Sequence, residues 1–548
     1  MALDRFGGVV SRRTFVQGGL AASALAALAG CGKNSSSTSG STDTASAGGT
    51  FKFYISDPVA IDPYNLQESE GTQVGHCLFD SLVSYDWTKS EVVPAAAESW
   101  TVSDDGTVFT FTLKEAKFHN GDAVDAASFK RGWERLADPS METPGEIGYH
   151  LAPVAGYEAF SKGEATEITG LVAKDDKTFE VTLTDPMADF LIVCCHPGLA
   201  PVPQAALDDP ASFLLSPIGN GAFKMDGKWE SGQYINVVRN DDYYGDAAKL
   251  DAINFSIQKD PKTALSEFKA GNMDFCQMPT GQIKELMSEY GESEDGYTVT
   301  PGKQCLTGAE GSIYYLVLNM DDPTMQDANV RHAMSLAINR QNIVDTLFEG
   351  VREPADNIFP PIIDDKANAW QYAKYDKDAA QKIMDDNGLA GTQITLSYSS
   401  GGGHEDIMSC IQADLEAVGF SVSQQSQEWA AYLSGLTDGS FQVGRLGWIA
   451  DYPTMDNFIY PNFFSTADNN YSRYNNPAVD ADTLVARQIV DEEARKEAYR
   501  AINDEVAEDT PIIPIMFYSH VHLGSERVKS LYYDAQGKAD LKNAELSA

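Results

Sequence analysis

The chain has 548 residues, of which 43% are hydrophobic and 10% aromatic, so it is long enough for about two to four domains with ordinary cores. It contains 40 basic and 80 acidic residues, and its formal net charge is −40. Such a charge repels phosphate backbones and anionic membrane surfaces, so we expect no nucleic-acid partner. The acidic residues are spread along the chain, which is typical of a solvated surface.

The first thirty residues have the features of a targeting segment. Arg12 and Arg13 precede Phe15 and a stretch of small apolar residues that is too short to cross a bilayer. Paired arginines in this position indicate export in the folded state by the Tat route. The segment ends in "LAGC", which resembles a bacterial lipobox. We therefore predict a Tat-type lipoprotein signal peptide over residues 1–30 and a lipid-modified Cys31, with an ordinary cleaved signal as the alternative.

Residues 31–49 are rich in Ser, Gly and Thr and are predicted to form a flexible tether. A diacylated Cys31 would hold the protein on the outer face of the cytoplasmic membrane without a membrane-spanning helix. The six cysteines that follow contain no Cys-x-x-Cys pair. The cysteine spacing therefore indicates neither a redox site nor a zinc ribbon, and we assign no disulfide.

The folded part opens with a predicted strand, and residues 83–185 then have the pattern of a small α+β unit. Phe109, Phe111 and Leu113 alternate with threonines between turn residues, which predicts a half-buried β-hairpin. Asp125 is a candidate cap for the helix that follows. A second alternating strand pair closes the unit.

Residues 186–305 are predicted to be mainly strands. Over residues 306–515 helices alternate with strands, which indicates an α/β lobe with a mainly parallel sheet. Residues 327–350 predict one long helix within this lobe. The last long strand, near residues 510–524, begins with prolines, so we expect it at a sheet edge or at a crossover.

Motifs of catalysis and cofactor binding are missing from the sequence. We find no GxSxG elbow, no GxxxxGK[ST] phosphate loop, no GxGxxG and no HExxH, so we predict neither an enzyme nor a cofactor. His520 and His522 would share one strand face, either as a metal pair or as surface or core histidines. The second interpretation is favoured, and no metal site is predicted. The glycines at 401–403 before His404 form either an anion site at a helix start or a tight turn.

A series of segments resembles the oligopeptide-binding proteins of ABC importers, extracellular solute-binding protein family 5. "AESWTVSDDGTVFTFTLKEAKFHNGDAV" and "VRHAMSLAINR" are the most recognisable. The full series is 62–71, 78–83, 97–124, 135–139, 196–203, 220–223, 330–340 and 426–452. Single segments are moderately specific, but the ordered series spans nearly the whole chain after the targeting segment. The resemblance implies a non-catalytic receptor that passes captured peptides to a membrane permease and its ATPase.

The resemblance also implies a fold and a domain division. The expected fold is α/β, a two-lobed periplasmic-binding-protein-like fold (class II, cluster C) whose lobes close on the ligand. Lobe I would comprise residues 50–82, 186–305 and 516–548, with the extra α+β domain of residues 83–185 inserted in it. Lobe II would comprise residues 306–515. The protein is expected to be a monomer.

Site residues are implied one by one. The R-x-x-W-x-x-D pattern of the family matches Arg445, Trp448 and Asp451. Asp451 resembles the aspartate that pairs with the peptide α-ammonium, and an enclosed ammonium would cost several kcal/mol unless it were paired. Arg445 and His404 resemble residues that meet the peptide carboxylate, which suits the bidentate geometry of arginine.

Other residues outside the R-x-x-W-x-x-D segment also match the family. Tyr315 and Tyr518 match tyrosines of the family that face the ligand. An acidic residue of the opening segment matches either Glu68 or Glu70, with Glu68 chosen as the predicted contact.

The chain also departs from the family pattern. Ser335 stands where the family carries a lysine, and Leu436 stands near the position of a family arginine. The preferred peptide length is therefore expected to differ. Ser312 and Ile449 occupy the positions of the family's cysteine pair, so that disulfide is absent.

Two other functions stay open at this point. The same fold would serve a non-peptide solute, such as a nickel chelate, haem or a sugar. The more remote alternative is that this chain, as a protein exported by the Tat route, is an enzyme with a bound cofactor.

Overall fold

A computed structural model of the protein describes residues 48–141, 145, 147–258 and 260–547. The predicted signal peptide, Cys31 and all but the last two residues of the predicted tether lie outside the described residues. Within the described ranges, no helix combines the length and hydropathy needed to cross a membrane. The six cysteines of these ranges are free thiols.

The largest sheet has seven strands and draws on three distant parts of the chain. In spatial order its strands are Cys305–Leu306, His522–Gly524, Phe275–Gln277, Thr50–Ile55, Ala252–Ile257, Tyr234–Arg239 and Phe223–Met225. The strand Thr50–Ile55 pairs parallel with Ala252–Ile257, and its Phe51, Phe53 and Ile55 alternate into the core. Two small sheets are also present in the described ranges: Thr298–Val299 with Val528–Tyr532 and Glu545–Leu546, and Val83–Asp86 with Glu91–Pro94.

A four-stranded sheet lies within residues 83–185, the range of the predicted α+β unit. Its order is Ala97–Val102, Val108–Leu113, Thr178–Thr182 and Leu171–Asp175, and all neighbours are antiparallel. The helix Ala126–Leu136 packs on it through Trp133, whose ring meets Phe179 edge-on. Asp125 caps this helix, as predicted, by accepting a hydrogen bond from the Ser128 N–H.

A six-stranded sheet forms the core of the region after residue 306. Its order is Glu353–Pro354, Ile512–Ser519, Ala309–Leu318, Val443–Ile449, Gln393–Ser399 and Ser421–Gln427. The prediction of a mainly parallel sheet is wrong: Gln393–Ser399 is parallel to both its neighbours, whereas the other three pairings are antiparallel. An alternation of helices and strands in the sequence indicates the order of the elements. It does not determine whether a strand runs parallel or antiparallel to its neighbours in the sheet.

The helices of the described ranges fall into two groups by length. Those longer than two turns are Ser69–Leu78, Ala126–Leu136, Pro261–Lys269, Ile283–Tyr290, Ala328–Ala337, Arg340–Leu347, Lys377–Asp386, His404–Glu416, Trp429–Asp438, Asp456–Phe463, Pro477–Gln488 and Glu492–Asp509. Shorter ones span Pro63–Asn65, Gly148–His150, Tyr157–Ser161, Phe190–Val193, Pro197–Leu199, Ala205–Asp208 and Pro210–Leu215. The single helix predicted over residues 327–350 is two helices. It breaks because Ile338 is extended and the Asn339 side chain caps the second helix.

The chain passes between the seven-stranded and six-stranded sheets at two places. The first connection follows Leu306, and the second follows Ser519, so the last long strand leads into a crossover as predicted. The strand Ile512–Ser519 stays in the six-stranded sheet past the division predicted at residue 515. The His520 N–H donates to the Gly308 carbonyl over 2.8 Å, which joins the two connections.

The structure also shows where Ser312 and Ile449, the positions of the family's cysteine pair, lie. Ser312 and Ile449 are direct partners in the antiparallel pairing of Ala309–Leu318 with Val443–Ile449. Two cysteines at directly opposed positions of neighbouring strands lie close to bonding distance. The sequence assignment of these two positions therefore agrees with the strand register.

Candidate binding site

A cavity of about 1430 Å³ lies between the seven-stranded and six-stranded sheets. Its wall includes Phe53 from the first sheet and Trp448 and Tyr518 from the second. Pockets for drug-sized ligands measure about 300–1,000 Å³, so this cavity has room for a larger solute. Six of the seven predicted contacts line it: Asp451, Arg445, Trp448, His404, Tyr518 and Glu68.

Asp451 follows the strand Val443–Ile449 and brings an enclosed carboxylate to the cavity. Its side chain is 21% exposed, and its Oδ2 accepts a hydrogen bond from the Tyr149 hydroxyl. Burial raises the pKa of the Asp451 carboxyl to about 6. The basic group within 4.0 Å in the described structure is His196, at 3.8 Å, and burial holds the pKa of His196 well below its usual range. The Asp451 carboxylate therefore faces a neutral imidazole and lacks a close cation.

Asn457 fixes the segment that carries this carboxylate. Its Oδ1 accepts from the Trp448 indole Nε1–H at 3.0 Å and from the Asp451 backbone N–H at 2.8 Å. Trp448 is 8% exposed, so the indole is both a wall of the cavity and part of the core. The tryptophan thus positions Asp451 through a shared amide oxygen.

Further acidic groups line the cavity in the opening segment. Both carboxylate oxygens of Glu68 accept from backbone N–H groups, those of Val59, Glu70 and Gly71, at 2.8–3.1 Å. Glu68 is thereby the N-cap of the helix Ser69–Leu78, while Glu70 lies in its first turn and also lines the cavity. Lys538 donates to the Ser69 carbonyl at 3.1 Å.

Two arginines bring positive charge to another part of the wall. The guanidinium of Arg445 lies 5.2 Å from the ring centroid of Tyr314. That of Arg352 lies 4.3 Å from the ring of Tyr518 and 4.1 Å from that of Phe348. The Nε–H of each arginine is buried and has no hydrogen-bond partner among the described residues. Such donors are costly unless a ligand or water satisfies them.

His404 is the first residue of the helix His404–Glu416 and sits beside these arginines. Burial, reinforced by Arg445 and Arg352, holds the pKa of the His404 imidazole well below its usual range, so the ring is neutral at neutral pH. Its Nδ1 has no partner in the described structure. The Gly401 N–H donates to the Glu405 carboxylate at 2.9 Å, so the glycine turn is self-capped at this amide.

Tyr315 is the predicted contact that does not line the cavity. Its side chain is 2% exposed and its hydroxyl donates to Asn462 Oδ1 at 3.1 Å. The neighbouring Tyr314 points to the opposite face of the strand and lines the cavity instead. The prediction was one residue out of register because the strand is buried on both faces, so no polar alternation marks the cavity side.

Sequence reasoning missed Arg352, Lys538 and Tyr149. Neither Ser335 nor Leu436, the positions of the two missing family cations, is among the cavity residues. Arg352 supplies a cation that the family pattern did not indicate, and a lone arginine between a turn and a short strand carries no sequence signal of burial.

The chain is similar in sequence to known proteins. The family model described as Bacterial extracellular solute-binding proteins, family 5 Middle, matches residues 91–470. The dipeptide-binding protein DppE of Bacillus subtilis (strain 168) is 28% identical over 551 residues, which cover 96% of this chain and 98% of that protein.

Three solved structures extend the comparison. The Escherichia coli murein tripeptide binding protein MppA aligns with a TM-score of 0.82 at 25% identity, over 92% of this chain and 99% of that one. Haemophilus influenzae OppA in complex with RPPGFSPFR aligns with a TM-score of 0.79 at 26% identity, over 91% of this chain and 99% of that one. The unliganded open form of MppA gives only 0.64, over the same 92% and 99%. The present arrangement of the sheets thus differs from that open form.

The raised pKa of Asp451 predicts a pH-dependent effect of Asp451→Asn on stability. The carboxyl has a pKa near 6 when folded and about 3.9 when unfolded, so its stabilising contribution is present below pH 4 and lost as the pH rises through 6. Ligand-free Asp451→Asn protein should therefore match the wild type at pH 4 and exceed its free energy of unfolding at pH 8 by about 3 kcal/mol.

Denaturant unfolding of both proteins at the two pH values measures this difference. Asp209→Asn is a control of opposite sign, because hydrogen bonds from Ser212 depress the pKa of that exposed carboxyl. An Asp451→Asn effect of equal size at pH 4 and pH 8 contradicts the assignment.

Proposed function

The chain belongs to family 5 of the bacterial extracellular solute-binding proteins, and from this premise we propose that it captures oligopeptides in the cavity between its two large sheets and delivers them to an ABC permease. The observation that carries the proposal is the charge pattern of the cavity wall. Asp451 has no close cation, and Arg445 and Arg352 have unpartnered Nε–H groups. A free peptide is a zwitterion and supplies both missing charges.

Asp451 binds the α-ammonium of the peptide in this proposal. The ammonium adds a cation beside a carboxylate whose present neighbours are the Tyr149 hydroxyl and the neutral His196, and it offsets the cost of burying that charge. Glu70 supports the same end from the helix Ser69–Leu78. Glu68 acts through its capping of that helix, which makes it a positioning residue.

Arg445 and Arg352 receive the carboxyl side of the peptide. Each guanidinium is held against a tyrosine ring, which limits its rotation and presents its remaining N–H groups to a carboxylate. Neutral His404 adds a hydrogen-bonding group without adding charge. The peptide backbone lies extended between the sheets, and water in the spare volume accepts varied side chains.

The proposed cycle uses the two connections between the sheets as a hinge. The lobes open to admit peptide, close on it and present the closed form to the permease and its ATPase. The better alignment with one MppA structure than with the unliganded open form supports such a two-state motion. We place residues 50–82, 186–305 and 520–548 in one lobe and residues 306–519 in the other, with 83–185 inserted in the first. The division moves from the predicted residue 515 to the end of the strand Ile512–Ser519, which belongs to the six-stranded sheet.

Anchoring and location form a further part of the proposal. Export by the Tat route and acylation of Cys31 would keep the receptor, as a monomer, at the outer face of the cytoplasmic membrane beside its permease. The chain has no catalytic role here. A thermal-shift panel separates the solute classes: alanine peptides of three to five residues should raise the midpoint by mass action. A response to sugars or haem and none to peptides favours the non-peptide alternative.

Asp451→Asn tests the ammonium contact. The variant should bind free alanine peptides about 30-fold more weakly, because a charge-assisted hydrogen bond of about 2 kcal/mol is lost. N-acetylated peptides lack the ammonium and should bind the variant and the wild type alike, as measured by titration calorimetry. Asp414→Asn is the matched control, since Asp414 is also partly buried but lies outside the cavity. Equal losses for free and acetylated peptides would rule out the ammonium assignment.

Arg352→Gln tests the carboxylate contact that the sequence did not reveal. Affinity for peptides with a free carboxyl should fall at least ~10-fold, and affinity for C-terminal amides should change little. Arg445→Gln should act in the same direction. Arg473→Gln, which removes an arginine outside the cavity, should leave both affinities unchanged. If Arg352→Gln weakens acids and amides equally, Arg352 supports the wall without meeting the carboxylate.

A further inference from the structure

Glu310, His520 and His522 form a cluster where the chain crosses between the two large sheets. Glu310 begins the strand that follows the first connection, and the two histidines flank the second. One potential ligand atom from each residue lies within 4.8 Å of the others. The peptide contacts proposed above do not use these side chains.

The cluster contains buried polar atoms without partners. His520 is fully buried and Glu310 is 7% exposed. His520 Nε2 and His522 Nδ1 are both buried and have no hydrogen-bond partner among the described residues. Buried polar atoms without a partner are rare in proteins because each loses its hydration on burial. A bound ion is one way in which such atoms gain a partner.

The surroundings fix the three side chains. Glu310 Oε1 lies 2.7 Å from His520 Nδ1, so an ion bound by both atoms would take the place of the proton between them. The Ser312 hydroxyl donates to the other Glu310 oxygen at 2.9 Å. The His522 ring is stacked on Phe275 at 5.3 Å between ring centroids. Such outer hydrogen bonds and packing are the supports that hold metal-binding side chains in protein sites.

We propose that Glu310, His520 and His522 bind one divalent transition-metal ion. Two imidazoles and a carboxylate are the donor set of zinc and related ions, whereas Ca²⁺ and Mg²⁺ prefer oxygen ligands alone. Three protein ligands leave a four-coordinate ion one open position.

The position of the site has two consequences for a bound ion. Glu310 and His522 line the cavity, so the ion has an access path and its open position is reachable from the cavity. The three ligands also lie on both connections between the sheets, so a bound ion ties these connections together. The positive charge of Arg352 also lowers the pKa of the Glu310 carboxyl. The same charge repels a cation bound by Glu310, which limits the affinity of the site for the ion.

Zinc binding to the chelator-treated full chain tests the proposal by competition with a chromophoric chelator. Wild-type protein should bind one Zn²⁺ per chain, and Zn²⁺ should raise its thermal midpoint. His522→Asn and Glu310→Gln should each weaken Zn²⁺ at least ~10-fold. His332→Asn is the matched control, because His332 Nε2 is also unpartnered but His332 is not part of this three-residue cluster. Its zinc affinity should equal that of the wild type.

A second measurement on wild-type protein does not depend on the folding of variants. X-ray absorption of the zinc-loaded chain should show imidazole scattering from two histidines. Absence of stoichiometric binding, unchanged affinity in folded His522→Asn and Glu310→Gln proteins, or a zinc spectrum without imidazole would each overturn the proposal.

Discussion

An enclosed carboxylate without a close cation costs a folded protein free energy, and the cavity of this protein is built around such a group. Asp451 is kept beside a neutral histidine, and burial raises the pKa of its carboxyl to about 6. Arg445 and Arg352 show the reverse condition, since their buried Nε–H groups have no partner in the described structure. Charges held apart in this way favour a solute that carries both signs.

The fold explains why these charges do not neutralise each other. Arg445 lies within the strand Val443–Ile449, whose antiparallel and parallel neighbours hold it on both sides. Asp451 lies beyond the strand end, where Asn457 binds its backbone and the Trp448 indole through one oxygen. Trp448, which lies between the two charges in sequence, therefore helps to hold the Asp451 backbone in place through Asn457. Rigid elements of this kind preserve an unpaired charge until a ligand arrives.

Local patterns predicted much of the fold. The alternation around Phe109 and the cap at Asp125 predicted the hairpin and the start of the following helix correctly, because both depend on neighbours in sequence. Strand direction in the six-stranded sheet and the break at Ile338 were predicted wrongly. The first depends on where a strand enters a sheet, and the second on a cap that competes with helix continuation.

The site was predictable only in part. The R-x-x-W-x-x-D resemblance placed Arg445, Trp448 and Asp451 at one cavity, as the structure has them. Tyr314 replaces Tyr315 because a strand buried on both faces gives no polar signal of its orientation. Arg352 meets Tyr518 and Phe348 through tertiary contacts, which a single sequence does not reveal.

Native mass spectrometry of the protein purified without denaturation from a peptide-rich medium tests the central claim most directly. Receptors that enclose their solute retain it through purification when dissociation is slow. We expect bound masses that, once released and fragmented, are peptides with a free amino group and a free carboxyl group. Retained compounds that lack an ammonium or a carboxylate would contradict it.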